Sequence, residues 1–176
     1  MPINFTKLAQ QNFSPQFKAR IIRVYGFFPE LHGISVICGS MKKRSWIEGN
    51  AISWITPPIF RLQPNVSSYT IAHELMHLVQ GNGSGIPHGE VACDIWTVDR
   101  MPVELLDQRP YYLLKRCRVD WNRNKAIIKE LCSRAIEIRK ANRTYIVWLQ
   151  YHIKNIDRNS RTIRKVSEQT ATGQPF

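Results

Sequence analysis

The run His73-Glu74-Leu75-Met76-His77, inside the apolar stretch from Ile71 to Val79, restricts this chain more than any other segment. Residues four apart lie on one face of a helix, so both imidazoles can grip one metal ion. Glu74 follows the first histidine directly, and from the next helical position it can reach a metal-held water. Two nitrogen ligands, a general base and an open coordination position are the parts of a hydrolytic zinc site. Apart from the motif's own His and Glu, every residue from Thr70 to Gln80 is uncharged. Such a pattern arises by chance in well under one in about a hundred chains of this length, so it is read as a metal site.

The helix that carries it is predicted to begin near Asn65 or Ser67 and to stop at Gly81. Val66, Tyr69, Ala72, Met76 and Val79 can then face a core while His73, Glu74 and His77 face a cleft. A Gly-rich loop follows, Gly81 to Pro87, with no Gly-Lys-Ser/Thr to make it a phosphate cradle. A second helix is predicted from about Gly89 to Arg100, ending at Met101-Pro102.

A catalytic zinc site wants a third protein ligand. The candidates are His88, Glu90 and Asp94. Glu90 and Asp94 sit four apart on one face of the second helix. That favours Glu90 as ligand and Asp94 as the acid that holds a ligating His through its other ring nitrogen, with His88 as the alternative ligand. The pattern H-E-x-x-H-x-x-G-x-x-H is excluded, because Gln80 and Gly83 occupy its Gly and last His positions. Cys93 reads as a small core residue.

These residues resemble a family. H-E-x-x-H followed by a glutamate helix is similar to the gluzincin metallopeptidases, and the twelve residues between His77 and Glu90 look like their smallest members, the minigluzincins. The segment Glu90-Val91-Ala92-Cys93-Asp94-Ile95-Trp96 through Met101-Pro102 is similar to the E-x-x-A-(D/N)-x-(F/W)…M-P stretch of ImmA/IrrE-type peptidases. Asn50-Ala51 resembles the start of the gluzincin substrate-binding edge strand, which implies Asn50, Ala51 and Ile52 as substrate-binding residues. His88-Gly89 departs towards the SprT-like peptidases, whose third ligand is the His of an H-G pair. The likeness covers roughly residues 15–112. It implies an α+β fold: a small zincin-like core with an N-terminal backing helix, a short mixed sheet, the H-E-x-x-H helix and the glutamate helix. It also implies one Zn2+ held by His73, His77 and Glu90, with Glu74 as general base acting on a peptide or protein substrate.

The rest of the chain supplies the frame. Ser14-Pro15 is a helix start, and Phe17, Ile21, Ile22 and Tyr25 give that helix an apolar face ending at Gly26. Gly33–Cys38, Arg44–Glu48 and Ala51–Ile55 read as strands, with Gly49-Asn50 a tight turn and Pro57-Pro58 a stop. Beyond Pro110 two helices are predicted. Ile127, Ile128, Leu131, Cys132, Ala135 and Ile138 stripe the first, from Trp121 to Ala141; Ile146, Leu149, Ile153 and Ile156 stripe the second, from Arg143 to Asp157. The expected division is a core over 1–112, a basic helical extension packed on it over 113–158, and a polar, disordered tail over 159–176.

Charge separates these parts. Residues 1–114 carry ten Lys/Arg and eight Asp/Glu, while residues 115–176 carry fifteen and five, so +10 of the +12 net charge lies behind the motif. A basic segment attracts nucleic acid through counterion release, or it is simply a solvated helix face. No run of about 18 apolar residues suggests a membrane span. The first residues lack the layout of a secretory signal, and the four cysteines show no C-x-x-C pair, so a reduced, cytoplasmic protein is expected. Three functions fit: a zinc peptidase, a SprT-like or repressor-cleaving protease that reaches nucleic-acid-bound proteins through its basic helices, and a peptidase kept latent by that extension. A non-enzymatic binding module would hold no metal.

Overall fold

Four side chains start four helices in the way their chemistry dictates. Thr6, Ser14, Ser67 and Asp120 each accept a hydrogen bond from a backbone N–H three residues on, opening α1 (Lys7–Asn12), α2 (Pro15–Tyr25), α3 (Ser68–Gly81) and the later helix Trp121–Arg139. The computed structural model describes residues 3–42 and 48–156. Within them the remaining helices are α4 (Glu90–Arg100) and α5 (Tyr111–Leu114). Trp121–Arg139 is then α6, and residues 145–156 form α7. The strands are β1 (Ile3–Phe5), β2 (Val36–Ser40), β3 (Gly49–Ile52) and β4 (Ile59–Leu62). The class is α+β.

The strands make one mixed sheet in the order β1-β2-β4-β3. β1, β2 and β4 are parallel, and β3 runs antiparallel to β4 with Ala51 opposite Phe60. β3 is therefore an edge, and it is the strand that runs beside α3.

Several boundaries differ from expectation. The strand expected at Gly33–Cys38 is Val36–Ser40, because pairing with both β1 and β4 sets its limits. Gly49-Asn50 is not a turn: both residues pair with β4, and the strand ends at Ile52 rather than Ile55, where the chain bends towards Pro57. Pro57-Pro58, expected only as a stop, leads directly into β4. β1, β4 and α1 leave no clear mark in the sequence, since three to six residues hold too little periodicity to register. Of Arg44–Glu48, residues 43–47 lie outside the described residues, as does the expected tail at 159–176.

One hydrophobic cluster runs from Ile3 to Ile153. α3 packs between the sheet and α4, and α4 in turn is covered by α6. Ile128, Cys132 and Ala135 of α6 are buried as their spacing predicts, but Ile127 is 49 % exposed. Adjacent helical residues point about 100° apart, so only one of Ile127 and Ile128 can face α4. Within α7, Leu149 and Ile153 are buried, and Tyr145 meets Trp96 of α4 edge-on. Among the described residues no helix is long and apolar enough to cross a membrane.

Both ends of the motif helix are held. The Asp107 carboxylate accepts from Ser68 N and Tyr69 N, each at 2.9 Å, which places a negative charge at the positive end of α3. At the other end Gly81 lies against Ser53, just beyond β3. A Cβ on Gly81 would sit 2.0 Å from Ser53 Oγ and 2.1 Å from its Cβ. Gly81→Ala is expected to lower the stability to urea by about 1–3 kcal/mol, the usual range for overpacking. The double variant Gly81→Ala with Ser53→Gly should recover most of that loss. Equal stability for the two variants would show that this contact does not seat the helix.

Candidate metal centre

α3 and α4 face one another with their functional residues in helical register. His73 and His77 are one turn apart on α3; Glu90, Cys93 and Asp94 lie on one face of α4. Gly89 turns the chain into α4 at φ 103°, a conformation that favours glycine, so Glu90 enters on the first turn.

Each histidine has an acceptor close to its Nδ1, hydrogen-bonded in His77 only. Gln80, buried and one turn beyond His77, directs its amide nitrogen to Pro87 O at 2.6 Å and Gly89 O at 3.3 Å. Carbonyl oxygens only accept, so this orients the amide and leaves Gln80 Oε1 to accept from His77 Nδ1, 2.8 Å away. His73 Nδ1 lies 3.0 Å from Asp94 Oδ1, off the N–H axis. Asp94 also accepts from Tyr69 Oη at 2.5 Å and Leu113 N at 2.8 Å. Burial first, then the charge of Asp94, raises the Tyr69 pKa well above its ordinary value, so that hydroxyl donates. With Nδ1 facing Gln80 in His77 and Asp94 in His73, the Nε2 lone pairs are turned forward whenever the rings are neutral.

Those lone pairs converge. His73 Nε2 and His77 Nε2 are 3.1 Å apart, and Glu90 Oε2 lies 3.0 Å from the first and 3.3 Å from the second. Tetrahedral zinc, with bonds near 2.0–2.1 Å, spaces neighbouring N and O ligands about 3.3 Å apart. A metal ion among these three atoms would replace the protons that otherwise bridge them, so the donor set fits a metal ion. His73, His77 and the buried Cys93 also form a group whose ligand atoms lie within 4.8 Å of one another and could bind a metal ion.

The electrostatics make the same demand for positive charge. Burial opposes a charged His73, but contacts with Asp94, Cys93 and Glu90 outweigh it and hold its pKa far above the usual range. His77 is pushed up to about 10 in the same way, by Cys93 and Glu90 against its burial. Hydrogen bonds from the two histidines hold Glu90 well below the usual carboxylate range. Protons and a metal ion therefore compete for the same place.

Glu74 lies apart from this triangle. It is only 7 % exposed and lies against Gly49 of β3, where a Cβ would come within 2.6 Å of Glu74 Cγ. Burial raises its pKa to about 7, with His73 and His77 pulling it down and Glu90 pushing it up. Asn50, Ala51 and Ile52 continue β3 along the sheet edge, Asn50 exposed. His88 is exposed, and it is Glu90 that meets the histidine pair.

Comparison with protein-family models, curated proteins and solved structures finds no match. The site stands on its own geometry.

Gln80 and Tyr69 escaped sequence reasoning as parts of the site. Gln80 had a signal, its spacing of three from His77, which fits a polar helical pair. Tyr69 had none, since its hydroxyl becomes relevant only when α4 packs on α3. Cys93 is buried in the core as expected, and it also lies close to the two histidines, because it shares a helical face with Glu90 and Asp94.

Two measurements test this arrangement. Gln80→Leu should weaken metal binding by about ten- to hundredfold in equilibrium dialysis, the usual effect of losing a partner of a ligating His; an affinity equal to wild type would remove Gln80 from the centre. The second uses Glu74 in chelator-treated protein. Its folded pKa is raised from 4.5 to about 7, so between those values the folded state holds a proton that the unfolded chain has released. Stability contributed by that carboxyl therefore falls as pH rises through the window. Wild type should lose stability relative to Glu74→Gln between about pH 5 and about pH 7, and parallel curves would contradict the assignment.

Proposed function

We propose that this protein is a zinc-dependent metallopeptidase. The observation that carries the reading is the convergence of His73 Nε2, His77 Nε2 and Glu90 Oε2 to within 3.0–3.3 Å beside a separate buried carboxyl, Glu74. When bound, zinc would supply a Lewis acid that lowers the pKa of water towards neutrality.

The chain's own residues do the rest. Glu74, buried beside the histidine pair, would take a proton from the attacking water and return it to the leaving amine. As it does so, the new C–O bond forms and the peptide C–N bond breaks. Asp94 and Gln80 keep the histidine rings from turning. Asn50, Ala51 and Ile52 offer an edge for an extended peptide to pair as an added strand. Because Gly49 lies against Glu74 and Ser53 against Gly81, such a peptide would run along the motif helix. Beyond the strand, Trp54 is 81 % exposed beside a cavity of about 300 Å³ lined by Ser53, Ile55, Leu78 and Asn82 among others, with room for a substrate side chain. The resemblance of Glu90 to Pro102 to peptidase segments supports the same reading.

The alternative, action on nucleic-acid-bound proteins, draws on the +10 charge of residues 115–176. Part of that charge serves the fold: Lys129 caps the C-terminal end of α4 through Asp99 O, and Arg139 binds Gly85 O and covers the Trp96 ring. The peptidase reading therefore does not depend on it.

Glu74→Gln should abolish hydrolysis of an unfolded protein substrate, a loss of about 10²–10⁴-fold, while zinc content stays at one ion per chain. Loss of zinc together with activity would contradict the role of Glu74. Wild-type protein that carries zinc and leaves every peptide substrate intact would overturn the reading.

A further inference from the structure

Cys93 is the group in this centre that the mechanism does not use. It lies on α4, three residues after Glu90 and one before Asp94, and both of those carboxylates engage the histidines. Its thiol donates to His73 O at 3.2 Å, so the sulfur lies over the first turn of the motif. The His73, His77 and Cys93 ligand atoms all lie within 4.8 Å of one another, and the thiol is wholly buried. A soft sulfur donor beside two imidazole nitrogens is one of the strongest zinc-seeking combinations among side chains.

Resting on the metal-centre reading above, we propose that Cys93 is a fourth protein ligand, which closes the coordination sphere in the resting protein. With Cys93 added to His73, His77 and Glu90, all four positions of a tetrahedral ion would be filled by the protein. As the sulfur binds, its S–H bond breaks, the proton leaves to bulk solvent, and the sulfur lone pair takes the position that solvent otherwise fills. Release of Cys93 reverses these events, and its thiol returns to His73 O. The peptidase is then self-restrained: the residue that blocks the open position lies on the same helix as the third ligand. Glu90, whose side chain is 45 % exposed, marks the side from which substrate must approach and compete.

The test loads full-length protein with Co(II) as the probe. Wild type should show the visible bands of tetrahedral cobalt together with a near-ultraviolet band from thiolate-to-cobalt charge transfer. Cys93→Ala and Cys93→Ser should keep the visible bands and lose the near-ultraviolet band entirely. With zinc restored, both should cleave peptide faster than wild type. Visible bands without the near-ultraviolet band in wild type would overturn the proposal and leave the metal centre standing. A near-ultraviolet band that survives in both variants would assign the sulfur to another cysteine and overturn it equally. Absence of any cobalt binding would overturn the metal-centre reading, and the proposal with it.

Discussion

A buried carboxylate costs several kcal/mol unless donors surround it, and Asp94, 1 % exposed, has three groups that reach it. They come from two elements: Tyr69 and His73 from α3, and Leu113 N from α5. Asp94 itself belongs to α4. One side chain thus ties three helices together, and none can shift without leaving a charge unpaired. The rest of the centre inherits its register from this tie, because α4 cannot slide along α3 while Asp94 holds His73 and Tyr69.

The same constraint fixes how the two facing helical surfaces of the candidate metal centre meet. The ligand-bearing faces belong to two packed helices, with Gln80 joining the end of α3 to the loop that leads into α4. Glycines let the neighbours close in: Gly49 admits the Glu74 side chain, and Gly81 admits Ser53. The edge strand is thereby pressed along the motif helix, one face against it and the other, with Asn50, towards solvent. Cys93 sits on the closed side, within reach of the metal position. A centre with its own sulfur can be complete without being catalytically open, which would tie activity to the displacement of one side chain.

Much of the helical frame was legible because local chemistry decides it. Ser14 with Pro15 and Ser67 announce helix starts whatever the remainder of the chain does, and the two long C-terminal helices show their stripes at a period near 3.6. The sheet was read less well. Gly49-Asn50 looks like a turn by residue type, yet pairing with Arg61 and Leu62 makes it strand. β1 is three residues long and exists because Ile3–Phe5 find Val36–Cys38 far along the chain. Such pairings leave no local trace, since a short strand gains its hydrogen bonds only from its neighbour.

The sequence by itself determined the helix of the candidate metal centre: two histidines and a glutamate at helical spacing, an apolar remainder, a serine to begin it and a glycine to end it. It also put Glu90 and Asp94 on one face of the next helix, since that follows from 3.6 residues per turn. Only the tertiary structure decided that Glu90 rather than the exposed His88 meets the histidines, that Gln80 and Asp94 lie against the histidine Nδ1 atoms, and that Cys93 lies close to both rings. Those outcomes depend on the distance and rotation between two helices. Packing sets these quantities through contacts among residues far apart in the chain, and no local pattern of residues encodes them.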